Sequence, residues 1–107
     1  MSVFILKRGD TRPPVKVQLF SDSGGTVNLT GCTVRFKMRK PDQSTLKVNA
    51  AATIVDATSG IVQYSCTTID TDTAGLFQAE FEVTYPDDGI ETHPDNGYLA
   101  FCILVDL

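Results

Sequence analysis

Hydrophobic and polar residues alternate along most of this chain. From Phe77 to Tyr85 the odd positions read Phe, Ala, Phe, Val, Tyr, and the even positions between them read Gln, Glu, Glu, Thr. A period of two sends successive side chains to opposite faces of a strand, so the segment predicts a half-buried strand with an apolar inner face and a hydrated acidic outer face. Val15, Val17 and Leu19 repeat the pattern against Lys16 and Gln18. Cys32, Val34, Phe36 and Met38 repeat it against Thr33, Arg35, Lys37 and Arg39, and Val62, Tyr64 and Cys66 against Gln63 and Ser65. The last segment departs from the rule. Leu99, Phe101, Ile103 and Val105 make one face, but Tyr98, Ala100, Cys102 and Leu104 make a second that is also fairly apolar.

Turn residues separate these runs: Arg8-Gly9-Asp10, Asp22 to Gly25, Pro41 to Ser44, Thr58 to Gly60, Pro86 to Gly89 and Asp95 to Gly97. Ala57 to Gly60 predicts a hairpin between Ala52–Asp56 and Ile61–Cys66, and Pro86 to Gly89 predicts a second. Pro13 and Pro14 split the N-terminal strand or hold it at an edge. Thr67 to Gly75 breaks the alternation and predicts one capped helical turn, ended by Gly75, crossing between sheets. About seven short antiparallel strands without a helical period predict an all-β, immunoglobulin-like sandwich formed by one domain over residues 1–107. The chain has no Trp and its cysteines do not bracket a core, so the likeness is to the architecture and not to an antibody domain.

Composition narrows the function. The 107 residues are 42% hydrophobic and 21% charged, a globular balance. A domain this small buries roughly two-thirds of its unfolded surface, so neighbours can add to its stability. The net charge of −4 argues against nucleic acid or an anionic membrane as partner. Arg35, Lys37 and Arg39, the main basic cluster with Lys40, share a parity and read as a solvated strand face. No run approaches the ~18 apolar residues of a membrane-crossing helix. In MSVFILKRGD the apolar residues precede the bases, the reverse of an export signal, so the expectation is a mature protein that begins near Met1 in a cytoplasm. Cys32, Cys66 and Cys102 are widely spaced and lack a CxxC pair, which favours reduced thiols over a zinc site, with one buried disulfide as the alternative.

Candidate chemistry is sparse. His93 is the single histidine, is expected in a surface loop, and has no GxSxG elbow to accompany it. Asp70, Asp72, Asp87 and Asp88 fit turn-building better than a calcium loop. Glu80 and Glu82 lie about 7 Å apart along one strand face and suit cross-strand pairing with Arg35, Lys37 or Arg39. Arg8-Gly9-Asp10 reads as a turn rather than an integrin ligand. No metal or cofactor is expected.

Taken in order, KRGDT at 7–11, VNLTGCTVRFKMRKPD at 27–42, ATSGIVQY at 57–64, DTAGLFQAEFEVTY at 72–85 and ETHPDNGYL at 91–99 resemble the N-terminal Ig-like domain family of phage baseplate upper proteins. The resemblance runs over nearly the whole chain. It implies a non-enzymatic structural protein of a tailed bacteriophage, located in the virion and assembled in the host bacterial cytoplasm. Its implied partners are other virion structural proteins and copies of itself in a symmetric assembly. In that family the domain usually heads a longer chain with coiled or receptor-binding parts. Here the sequence stops at Leu107, so the expectation is a small adaptor, connector or decoration subunit of baseplate, tail or neck. The candidate interface is the pair of terminal apolar runs, Val3, Phe4, Ile5 and Leu6 with Tyr98, Ala100, Cys102 and Leu104. Two other classes stand beside this reading. A module recognising carbohydrate or a host cell surface needs an exposed Tyr in a shallow groove beside Asp or Asn. An enzyme needs a pocket converging on His93.

Overall fold

A computed structural model describes residues 3–21, 23–94 and 97–107 of the chain. The turn signals at Asp22, Asp95 and Asn96 lie outside the described residues. Among the described residues there are nine strands: β1 (Val3–Lys7), β2 (Val15–Gln18), β3 (Thr33–Arg39), β4 (Val48–Ala51), β5 (Thr53–Asp56), β6 (Ile61–Tyr64), β7 (Gly75–Thr84), β8 (Ile90–His93) and β9 (Leu99–Leu104). They form two sheets. The larger runs β1-β9-β7-β3-β4, with β8 also on β7, and the smaller runs β2-β6-β5. This is an all-β, immunoglobulin-like sandwich.

The alternating runs became the strands expected of them, and the core lies where their apolar parities meet. In β3, Val34, Phe36 and Met38 are buried, and in β7 so are Phe77, Ala79, Phe81 and Val83. Phe36 sits at the centre. It stacks on Tyr64 of the opposite sheet with centroids 4.6 Å apart, and meets Phe81 edge-on at 5.2 Å. Offset and edge-on contacts suit the aromatic quadrupole, so this cluster ties the two sheets together. Both hairpins formed. In the first, Gly60 takes a φ of 70°, and a Cβ there would lie 2.7 Å from the Val27 carbonyl oxygen. Only glycine fits that turn.

Three points differ from the sequence-based expectation. Among the described residues there are nine strands rather than about seven: β4 was not foreseen, and β8 is the return strand that the Pro86 to Gly89 hairpin implied. β1 joins β9 in parallel, pairing Ile5 with Cys102, whereas the other pairings are antiparallel. Thr67 to Gly75 forms no helix. It is a crossover turn held by reciprocal bonds, in which Thr67 N–H donates to Asp70 Oδ2 and Asp70 N–H to Thr67 Oγ1, and Gly75 opens β7 instead of ending the turn. The two prolines do separate the N-terminal strands: β1 edges the large sheet and β2 edges the small one.

Candidate interaction surface

The strand register divides the outer face of the large sheet into two halves. At one corner Ile5 pairs with Cys102, which pairs with Leu76, and Val3 pairs with Ala100, which pairs with Gln78. Leu104 extends the same face beside Lys7. Direct pairs point the same way from a sheet, so Val3, Ile5, Leu76, Ala100, Cys102 and Leu104 form one outward apolar corner. Ile5 is 59% exposed and Leu76 67%.

The other half is polar and bonded within itself. Arg35 lies opposite Glu82, and Lys37 opposite Glu80. Lys37 Nζ reaches diagonally to Glu82 Oε2 at 2.6 Å. Arg35 donates to the Asn49 side chain and to the Asn49 carbonyl, both at 2.8 Å. Glu82 on the acidic face of β7 is thus ion-paired across to β3, the pairing that its residue type suggested, while Glu80 lies opposite Lys37 in the register.

Not every residue of the two terminal runs lies on the apolar corner. Phe4 and Leu6 turn inward. Leu6 is 5% exposed and belongs to the core, and Phe4 stacks on Phe101 at 6.3 Å. Tyr98 precedes β9 and is 38% exposed, with the Arg39 guanidinium 5.7 Å over its ring. Leu76 belongs to the corner although the terminal runs do not include it. It carries the parity of Gln78, Glu80 and Glu82, and extending that parity one step back locates it. Cys32, Cys66 and Cys102 are free thiols, Cys66 being buried. Burial first, and the nearby Asp70 charge second, push the Cys66 thiol up to about 11. Burial, and then the bond to Asp70, also raise the Tyr64 hydroxyl.

The surface loop expected for His93 is corrected. His93 ends strand β8, is 3% exposed, and bonds Glu91 Oε1 through Nε2 at 2.7 Å. Tyr85 donates to the same Glu91 oxygen at 3.0 Å. Beside His93 a cleft of about 450 Å³ opens between β2 and the β8–β9 edge. Its lining includes Lys16, Gln18, Phe20 and Leu99, and no hydroxyl, thiol or carboxylate among the described residues. The acidic turns serve structure: Asp72 binds Lys47 at 2.6 Å, and Asp87 accepts the Gly89 N–H. No group of His, Cys, Asp and Glu able to hold a metal occurs among the described residues.

Comparison with known proteins places this architecture. Residues 9–94 match the family model of the BppU N-terminal domain. The N-terminal domain of phage TP901-1 ORF48 superposes with a TM-score of 0.67 at 15% identity, covering 99% of this chain and 86% of that one. CopC from Methylosinus trichosporium OB3b superposes at 0.55 with 14% identity, covering 100% and 88%. At such identities the likeness is one of fold. No curated protein matches the chain in sequence. With the family model spanning most of its length, the chain belongs to the BppU N-terminal domain family, that of the phage baseplate upper protein, and is a structural domain of a phage baseplate.

Proposed function

We propose that this domain is a non-enzymatic adaptor or decoration element of the virion. It holds other virion structural proteins, and copies of itself, through the apolar corner of the large sheet. One observation carries the reading: six outward apolar side chains on three adjacent strands, beside a polar half in which Lys37 pairs with Glu82 and Arg35 bonds Asn49. Apolar surface grouped in this way gains free energy when a partner covers it, whereas paired charges gain little.

The test mixes the purified chain with dissociated virion components and follows complex mass by light scattering. The native chain forms a discrete complex, and Leu76→Asp weakens it at least tenfold while leaving stability within about 0.5 kcal/mol, as befits an exposed position. Undiminished binding by Leu76→Asp sinks the assignment of the corner. A chain that binds no virion component but responds on a glycan array favours recognition of carbohydrate instead. Tyr98 meets the condition for that second reading only in part: it lines a shallow groove of about 180 Å³ with Arg39, Leu46, Gln78 and Glu80, and among the described residues neither Asp nor Asn lines it.

A further inference from the structure

The five sheet edges among the described residues are not equally protected. At β4 the Arg35 side chain occupies the Asn49 carbonyl. β5 carries a register break between Ile54 and Asp56. β2 follows Pro13 and Pro14 and holds Lys16, and β8 has four residues and runs into Pro94. Charges, bulges, prolines and short strands are the usual guards against edge pairing. β1, VFILK, has none of them before its final lysine.

Its open edge is also self-complementary. Arg8 N–H donates to the Leu104 carbonyl at 2.7 Å. In a parallel ladder alternate residues turn both backbone groups to one neighbour. Leu6 and Phe4 therefore follow Arg8 towards β9, while Val3, Ile5 and Lys7 turn theirs to the open side. The Lys7 carbonyl is already taken by Asp10 N–H at 3.0 Å. What remains is the N–H and C=O of Ile5, the C=O and N–H of Val3 and the N–H of Lys7.

We infer that β1 pairs antiparallel with β1 of a second copy about a two-fold axis at Ile5, joining two large sheets into one. About that axis Ile5 exchanges both backbone bonds with Ile5 of the second copy. Each Lys7 N–H meets the Val3 carbonyl opposite, giving four new bonds. Parity is preserved, so the two apolar corners become one outward stripe. Phe4, half-buried at the rim of its own core, gains Leu6 of the second copy beside it on the inner face. No other pairing centre on this edge uses Ile5, Val3 and Lys7 together. This inference rests on the reading of the chain as a self-associating virion subunit and names the contact.

Cysteine cross-linking tests the register. In a Cys32→Ser, Cys102→Ser background, Ile5→Cys places two thiols across the axis at a Cα separation of about 5.5 Å, within disulfide reach. Under mild oxidation it forms a covalent dimer at least tenfold faster than Val3→Cys, and Val3→Cys mixed with Lys7→Cys forms the mixed dimer. Sedimentation of the unmodified chain shows a concentration-dependent dimer, which Ile5→Pro weakens at least tenfold by removing the central N–H donor. Absent or register-blind cross-linking overturns the inference, as does an unmodified chain that stays monomeric at its solubility limit. Retained binding of dissociated virion components in that case leaves the adaptor reading standing, because that binding is measured separately.

Discussion

The two halves of the large sheet's outer face are built from the same strands and end in opposite states. β7 runs through both. At its start Leu76 lies beside Cys102 and, one strand on, Ile5. Further along, Glu80 and Glu82 lie beside Lys37 and Arg35. In both places the backbone alternates identically and the outward parity is the same. The difference comes from the neighbour in the pairing register: charges on β3 answer the glutamates, and only apolar side chains on β9 and β1 answer Leu76. A strand's pattern decides which side faces out, and its cross-strand neighbours decide whether that side is finished.

Both halves rest on one floor, and the largest effect comes from removing it. Phe36 is fully buried and contacts Tyr64, Phe81 and Phe101. Phe36→Ala costs about 3–5 kcal/mol in urea unfolding, a large share of the stability of a domain this size. Phe36→Leu, at about 1.5 kcal/mol, keeps the measurement possible if the alanine variant does not fold. A loss under about 1 kcal/mol from the alanine variant means the sheets are not packed through this ring.

Much of this arrangement was legible in the sequence, and the failures have physical causes. β3 announces itself through clean alternation over its seven residues, and β7 does so from Phe77 onward. β4, VNAA, offers small side chains with little contrast. β8, IETH, hides its inward residue because histidine reads as polar although it is buried here against Glu91. Val3 to Leu6 is apolar without interruption, so periodicity had no means to tell the inward Phe4 and Leu6 from the outward Val3 and Ile5. Only the pairing with β9 separates them. The parallel sense of that pairing was equally out of reach, since it depends on where the chain returns after more than ninety residues.

The thiols sharpen the contrast between interior and corner at a smaller scale. Cys66, buried, has its pKa raised to about 11 from 9.0. A raised folded-state pKa means its contribution is fully present below the unfolded value. Between those two values the unfolded chain gives up its proton first, so stability falls as pH rises through that window. Tyr64 carries the same sign at still higher pH. The urea midpoint therefore drops between about pH 9 and about pH 11, and Cys66→Val removes part of that drop. A profile that is flat, or unchanged by Cys66→Val, refutes the buried-thiol account. Cys102, on the outer corner, reacts with a bulky maleimide in the folded chain, whereas Cys66 reacts only on unfolding.

The smallest effect belongs to the polar half, and it decides whether the face is truly divided. Lys37 and Glu82 are 2.6 Å apart and each about a fifth exposed, so their attraction is partly screened. Cross-strand ion pairs contribute about 0.2–1 kcal/mol. A double-mutant cycle of Glu82→Gln and Lys37→Met gives a coupling in that range, shrinking as salt is added. Neither variant changes the mass of the complex with virion components, because these groups already satisfy one another. Should Glu82→Gln weaken that complex as strongly as Leu76→Asp, the partner covers the whole outer face, and the boundary between the halves marks a change in chemistry but not the edge of the contact.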